Sequence, residues 1–361
     1  MKKVITKTLV AGAISTAMLA GAVQADVTLV SWGGGYSASQ QKAYVDTYNS
    51  ADVNMISYNG GLGEIRAQVE SGNVQWDIVD VFPHEARVGC DEGLFEELPR
   101  DLFLPAADGT SMDDDIMVDV PNDCVVPQIF WSYVPFHLGS TYEGEQPSTI
   151  ADFFDLEKFP GKRGIHTWGN ALIEMALMAD GVAIADIYDV MSTDEGMDRA
   201  FAKLDTIKDD VVFWSSGAKP LELVSSGEVA MSLAYNGRIG GAILSEGADF
   251  VVVWDGQVLE EEWLVMIKGT PNYAEALHFL IHASTAEQQA GQAHYINYGP
   301  MRASAIDILE AGEPWFHTGA TIMEHMPNTP ALMENTIVAD PVWWADNGAE
   351  AADRFAAWMA K

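Results

Sequence analysis

Short apolar segments alternate with helix-like segments in the first third of this chain. Residues 53–58 and 76–81 are apolar enough to form strands, and helix-like stretches at 64–71 and 85–89 follow them. Strands that alternate with helices at this spacing are typical of βαβ units, in which the strands run parallel and helices cover the sheet. We therefore predict an α/β fold.

A second set of strands and helices follows a long extended segment. That segment, residues 125–136, is rich in aromatic residues, and the alternation resumes after it. It would carry the chain from one lobe to another near Pro135, and an apolar stretch near Leu264 would carry it back. We predict a ligand cleft between the two lobes, where ligands preferentially bind. The first lobe would comprise residues 26–136 and about 264–305, and the second residues 137–263 and about 306–361 with the C-terminal helices.

The first 25 residues have the composition of a secretory signal peptide. Lys2 and Lys3 form a charged start, residues 9–22 are apolar, and residues 23–25 fit the small-residue cleavage pattern before Asp26. The apolar run is too short and too interrupted to indicate a membrane span. We therefore predict that residues 1–25 are a signal peptide and that the protein is exported to the periplasm.

The chain contains two cysteines, Cys90 and Cys124. In an exported protein such a pair favours a disulfide bond. The alternative is a metal-binding pair, which would need a second CxxC motif or a nearby histidine cluster. We expect the disulfide.

The charge of the chain is strongly one-sided. It has 53 acidic and 19 basic residues, for a net charge of −34. Such a chain repels nucleic acids and anionic membrane surfaces, so we expect neither as a partner. The acid excess would attract cationic ligands, or it forms a solvated acidic surface suited to a salty exterior.

Common catalytic motifs are missing from the sequence. It has no GxSxG, Walker loop, HExxH or paired CxxC motif, and its eight histidines are scattered. We therefore predict a protein that is not an enzyme, with no catalytic residue, no metal site and no cofactor.

A strand, a glycine run and a helix-like segment follow one another at residues 29–48. This order places Trp32 and Tyr36 at the carboxyl end of the first strand. Ligands bind at the carboxyl ends of strands in open α/β sheets. The alternative is that Trp32 is a buried anchor and the glycines form a tight turn.

Several short motifs occur along the chain in a recognisable order. They are LVSWGGGY at 29–36, QWDIVD at 75–80, GLFEEL at 93–98, FFDLEKFPGKR at 153–163, GEVA at 227–230, YGP at 298–300 and DPVWW at 340–344. With them the chain resembles the extracellular solute-binding proteins of ABC importers, specifically the spermidine/putrescine-binding branch, over essentially all of its mature length. The resemblance implies the type II periplasmic binding protein fold, with a mostly parallel sheet in each lobe. It also implies a monomer whose partners are the membrane permease subunits of an ABC importer.

The resemblance further implies an aromatic box with several carboxylates between the lobes. Carried over position by position, the candidate ligand-binding residues are Trp32, Tyr36, Phe82, His84, Tyr235, Glu261, Glu262, Trp263 and Tyr298. The chemistry of the residues themselves adds Asp80, Trp168 and Arg238.

The charges in this box decide the ligand class. A desolvated cation above an aromatic ring gains about 2 kcal/mol, but its burial is costly unless carboxylates pair with it. The main hypothesis is a small amine-bearing ligand of the polyamine class, such as putrescine or spermidine, held by the aromatic box and by Glu261 and Glu262, with Asp80 as a further candidate acid. The sequence leaves open which of Glu260, Glu261 and Glu262 faces the cleft.

Two features depart from the polyamine-binding pattern. Residues 167–171 contain no carboxylate where that branch supplies acids to an amine. Arg238 would suit a ligand carboxylate if it faces the cleft; otherwise it is a surface residue at a helix start. The alternative ligand is therefore a zwitterion such as γ-aminobutyrate or a betaine, with its acid group held by Arg238 or by the helix start at 60–61. A third hypothesis, an extracytoplasmic enzyme on the same scaffold, lacks a nucleophile or metal motif.

Overall fold

The computed structural model describes residues 26–361, so the predicted signal peptide lies outside the described residues. Within this range eleven strands belong to one hydrogen-bonded sheet. They are β1 Val27–Ser31, β2 Val53–Ser57, β3 Ile78–Val81, β4 Val125–Leu138, β5 Arg163–His166, β6 Val211–Trp214, β7 Met231–Tyr235, β8 Phe250–Val252, β9 Val258–Met266, β10 Gly299–Pro300 and β11 Ile337–Val338.

Helices connect the strands and cover the sheet. Their bounds are α1 Gly34–Gln40, α2 Gly63–Ser71, α3 Pro83–Asp91, α4 Met112–Asp115, α5 Ile150–Phe154, α6 Leu172–Ala179, α7 Ile187–Met191, α8 Asp194–Asp205, α9 Lys219–Ser225, α10 Asn236–Glu246, α11 Tyr273–Ala283, α12 Ala286–Ala293, α13 Ala303–Ala311 and α14 Pro341–Met359. Local sequence explains where several begin: Asp340 caps α14 by accepting from the backbone N–H groups of Val342 and Trp343. None of the helices in residues 26–361 has the length and apolar character that crossing a membrane requires.

The main path of the sheet runs β2-β1-β3-β9-β4-β7-β5-β6. At one end, β1 lies parallel to β2 and β3; at the other, β5 lies parallel to β6 and β7. Between these two groups β9 and β4 run antiparallel to each other and to the outer strands. The α/β class is confirmed, with a mixed rather than purely parallel sheet.

Buried apolar side chains form two large clusters, one for each parallel group. The first includes Leu29 and Phe279, and the second includes Phe136, Ile165 and Phe355. Helix α14 therefore belongs to the second cluster, although it is the last element of the chain. The lobe boundaries given above stay a prediction.

The expected disulfide is confirmed. Cys90, in α3, is bonded to Cys124, which directly precedes β4. The bond ties the long segment between these residues to helix α3.

Candidate functional site

A cavity of about 320 Å³ opens where the parallel strands of both groups end. Eight of the twelve candidate residues line it: Trp32, Tyr36, Phe82, Trp168, Tyr235, Arg238, Glu262 and Tyr298. Its volume lies in the range of small-molecule sites, and its walls are mostly aromatic.

Strand ends explain how residues distant in sequence meet in this cavity. Trp32 directly follows β1 and Phe82 directly follows β3, whereas Trp168 follows β5 and Tyr235 is the last residue of β7. Because parallel strands present their carboxyl ends at the same edge of a sheet, each group brings its rings to one edge. Trp168 is the outermost, with 44% of its surface exposed.

The three adjacent glutamates of β9 point in alternating directions. Side chains two residues apart lie on the same face of a strand, so Glu260 and Glu262 share a face and Glu261 lies on the other. Glu262 lines the main cavity. Glu261 accepts a hydrogen bond of 2.9 Å from the indole of Trp263 on the opposite face.

The carboxylate of Glu262 is buried and held by two indoles. Nε1 of Trp32 donates to one oxygen, and Nε1 of Trp131 donates to the other at 3.1 Å. Burial raises the pKa of Glu262 well above its usual value, and the nearby Asp80 adds to the rise. The residue is thus an oriented acid that would be stabilised in its charged form by a cationic partner.

Aromatic rings surround this acid and extend along the cavity. Trp32 packs against Phe82 with ring centroids 4.7 Å apart. Tyr36 and Tyr298 meet edge to face at 5.6 Å. Such rings provide faces for methylene groups and for an ammonium group.

Asp80 lies behind this wall rather than in it. It is fully buried and accepts hydrogen bonds from the Tyr36 hydroxyl at 3.1 Å and from Nε2 of Gln40 at 2.6 Å. Nε2 of Gln128 donates to the same Tyr36 hydroxyl at 2.9 Å. Asp80 therefore orients Tyr36 without lining the cavity.

Three further candidates do not line the cavity either. His84 stacks on Phe82, with ring centroids 5.7 Å apart, and burial lowers its pKa to about 4. Trp263 is fully buried in the first apolar cluster. Glu261 accepts the hydrogen bond from Trp263 that is described above. Both residues lie on the face of β9 that points away from the cavity.

Arg238 supplies the positive charge of the cavity. Within residues 26–361 its guanidinium has neither an ion pair nor a hydrogen-bond partner, and it lies in the first turn of α10. The start of a helix carries partial positive charge, so the guanidinium of Arg238 places a second positive charge beside the start of α10. Both groups would be stabilised by an anion.

A glycine makes room for this guanidinium. A Cβ placed on Gly217 would lie only 2.6 Å from Nε of Arg238, and one on Gly34 would lie 3.0 Å from Nη1. The arginine is thus held between segments that lead into α9 and α1, on opposite sides of the cavity.

Sequence reasoning missed seven lining residues: Tyr58, Asn59, Ile129, Trp131, His166, Ser215 and Gly217. His166 ends β5 and Ser215 follows β6, so the rule that ligands bind at strand ends would have found both. Ile129 and Trp131 lie inside β4. They reach the cavity because they pair with Glu262 and Glu260 of β9, which only the strand register reveals.

Comparisons with known proteins identify the family of this chain. The profile of the family described as "Bacterial extracellular solute-binding protein" matches residues 41–324. The γ-aminobutyric acid-binding protein of Pseudomonas aeruginosa is 36% identical over 351 residues, which covers 96% of this chain and 95% of that protein.

Solved structures with the same fold support the match. A periplasmic binding protein of Agrobacterium tumefaciens B6 in complex with glucopine is 29% identical, with a TM-score of 0.80 over 93% of this chain and all of that one. A γ-aminobutyrate receptor is also 29% identical, with a TM-score of 0.78 over 93% of this chain and 98% of that one. The periplasmic binding protein fold expected from the sequence is confirmed.

The resemblance to the polyamine-binding branch is a likeness of fold alone. The spermidine/putrescine-binding protein of Streptococcus pneumoniae is only 14% identical, with a TM-score of 0.68 over 92% of this chain and 99% of that one. A sequence identity this low supports a shared fold and says nothing about which ligand this chain binds.

Proposed function

This chain belongs to the bacterial extracellular solute-binding proteins, and from that membership we propose that it captures an ω-amino acid of the γ-aminobutyrate class. It would deliver this ligand to the permease of an ABC importer. Family membership also confirms the prediction that the protein is not an enzyme. The periplasmic location and the monomeric state remain predictions.

The observation that carries the proposal is a separated pair of opposite charges in one cavity. Glu262 and Arg238 both line it, and within the described residues they form no ion pair with each other. Tyr298 lies near both charges: burial raises the pKa of its hydroxyl to about 12, while Arg238 opposes that rise and Glu262 adds to it. A ligand with an ammonium group at one end and a carboxylate at the other matches this arrangement, because its ammonium group can pair with Glu262 and its carboxylate with Arg238.

The proposed pose assigns one task to each part of the cavity. The ammonium group binds Glu262 between the indoles of Trp32 and Trp131, and the carboxylate binds Arg238 and the start of α10. The methylenes pack against the sides of Tyr36 and Tyr298 that line the cavity, which contributes about 0.8 kcal/mol for each methylene buried. The relatives that are described as γ-aminobutyrate-binding proteins support the same class.

The polyamine hypothesis, which the sequence favoured, fits this cavity less well. Putrescine carries no carboxylate, so its complex would leave the guanidinium of Arg238 in this cavity without a partner of opposite charge. A betaine would keep the carboxylate contact, but its quaternary ammonium group has no N–H with which to bond Glu262.

Calorimetric titration of γ-aminobutyrate and putrescine against the wild-type protein and Arg238→Met tests the proposal. We expect the wild type to prefer γ-aminobutyrate, and the variant to lose about 100-fold in affinity for it, since a charge-assisted bond contributes about 1.5–3 kcal/mol. Arg66→Met is the matched control, because Arg66 pairs with Glu92 on the surface. Preference for putrescine, with tighter putrescine binding in Arg238→Met, would overturn the proposal.

A further inference from the structure

A small side chamber adjoins the main cavity. It encloses about 30 Å³ and shares Phe82, Trp131 and Tyr235 with the cavity wall. Its remaining lining includes Glu260 and Tyr133. This volume holds a water molecule or a single amino group.

Glu260 is a buried acid without a partner. Only 7% of its surface is exposed, and within residues 26–361 its carboxylate has no hydrogen bond and no ion pair. The nearby charges that add to the effect of burial and raise its pKa are all acids: Glu174 in α6, Glu261 on the other face of β9 and Glu85 in α3. An acid at a chamber wall that has no protein partner is available to a cationic ligand group.

A second unpartnered polar group lies beside it. The hydroxyl of Tyr133 is buried and makes no hydrogen bond of normal geometry within the described residues. In the β4–β9 register Trp131 pairs with Glu260 and Tyr133 with Val258. Tyr133 is therefore the diagonal neighbour of Glu260 on the same face, and an acid and a hydroxyl converge on the chamber.

The spacing of the two acids defines a ligand dimension. Glu260 and Glu262 are two residues apart on one strand, so they lie roughly 7 Å from each other along β9. Two amino groups separated by four methylenes span a similar length. The rings of Phe82 and Trp131 between the chamber and the cavity would cover those methylenes.

We infer that the side chamber is a second cation subsite, and that the protein takes zwitterions with one carboxylate and two amino groups on either side of a short methylene chain. This inference rests on the proposed function, which places the carboxylate at Arg238 and the first amino group at Glu262. The second amino group donates to Glu260 and to the Tyr133 hydroxyl. Three charged ligand groups then meet three charged side chains of opposite sign.

Binding of an amino group in the subsite is coupled to the release of a proton from Glu260. Burial and Glu174 raise the pKa of Glu260 to about 8, so near neutral pH the empty chamber holds a protonated acid. His166 also lines the chamber, but burial lowers its pKa to about 4, so it contributes no charge. An ammonium group in the chamber favours the charged form of Glu260, and binding therefore releases a proton.

A matched pair of ligands tests the subsite by calorimetry. N-(4-aminobutyl)-β-alanine and N-butyl-β-alanine share one skeleton and differ only in the terminal amino group. For the wild type we expect the amino compound to bind about 30-fold more tightly, as an added charge-assisted bond implies. We also expect it to release more protons at pH 7, which titrations in buffers of different ionisation enthalpy measure.

Glu260→Gln should reduce the affinity ratio of the two compounds to about one, within the precision of such titrations. Glu261→Gln, on the opposite face of β9, is the matched control and should keep the wild-type ratio. Equal affinities in the wild type, or an unchanged ratio in Glu260→Gln, would overturn the subsite.

Titration with γ-aminobutyrate distinguishes an error in the subsite proposal from an error in the proposed function. If it binds in an Arg238-dependent manner while the two β-alanine compounds bind equally, the subsite alone is wrong. If it does not bind but the Glu260-dependent ratio persists, the subsite stands and the proposed function is wrong.

Discussion

The two charged ends of the main cavity are built in different ways. Glu262 lies on a central strand, is 2% exposed, and has both oxygens held by indoles. Arg238 is half-buried at a helix start and has no polar partner within residues 26–361. The acid end therefore has hydrogen-bond partners before ligand binds and gains only a counter-charge from it, whereas the arginine end gains its first polar partner from the ligand.

From this difference we expect ligand binding to change the contacts of the arginine end more than those of the acid end. Glu262 belongs to β9, which together with β4 links the two parallel groups of the sheet. The guanidinium of Arg238 lies between Gly34 and Gly217, which come from segments on opposite sides of the cavity. In binding proteins that close around a ligand, contacts of this second kind change with closure.

Glu262→Gln should weaken binding as much as Arg238→Met does, and it tests whether the acid end is needed for affinity. A glutamine offers only one carbonyl oxygen, so one of the two indole N–H groups would face an amide N–H₂ group. The ammonium group also loses its counter-charge, so we expect about a 100-fold weaker binding of γ-aminobutyrate. Calorimetry with Glu261→Gln as control measures this, and an affinity within a few-fold of wild type would remove Glu262 from the site.

Gly217→Ala tests the arginine end without changing a charge. The new Cβ would approach Nε of Arg238 within 2.6 Å, so the guanidinium must shift. We expect about a 10-fold loss of affinity for γ-aminobutyrate, equivalent to roughly 1.4 kcal/mol. Gly241→Ala in α10 is the control, because a Cβ there meets nothing within 4 Å. Equal effects of the two substitutions would show that Arg238 does not depend on the space at Gly217.

Trp131→Phe isolates one hydrogen bond at the acid end. Phenylalanine keeps an aromatic ring but loses the N–H that donates to Glu262 at 3.1 Å. We expect about a 5-fold loss of affinity, since such a bond contributes about 1 kcal/mol. A loss as large as that of Glu262→Gln would mean that the indole contacts the ligand directly rather than orienting the acid.

The pH dependence of stability should reveal the unpaired acid of the side chamber. The folded-state pKa of Glu260, about 8, lies above that of an unfolded glutamate, so folding takes up a proton between these two values. The stability of the ligand-free protein should therefore fall as the pH rises from about 5 to 8. Melting curves should show a shallower fall for Glu260→Gln, by a few degrees; parallel curves would contradict the raised pKa.

The sequence predicted much of the site because strand ends are visible as patterns. Trp32 and Phe82 each follow an apolar segment, and the position of such residues in a parallel sheet follows from the fold class alone. Arg238 was identified by its departure from the polyamine-binding pattern. Only the three-dimensional structure shows that its guanidinium has no ion pair and no hydrogen-bond partner within residues 26–361.

The remaining part of the site depends on information that a single sequence does not contain. Trp131 lies within the longest strand, and only its register against β9 places it beside the acids. The choice among three adjacent glutamates depends on which face of β9 meets the cavity, and the sequence marks no face when all three residues are identical. For the same reason Trp263 was predicted to be in the site, although it lies in the core.

Calorimetric comparison of γ-aminobutyrate with its two halves, butylamine and butyrate, is the most direct test of the central claim that the cavity recognises opposite charges at opposite ends. If each end contributes a charge-assisted bond, γ-aminobutyrate should bind at least about 30-fold more tightly than either half. Butylamine binding as tightly as γ-aminobutyrate would contradict the claim, because the arginine end would then contribute nothing.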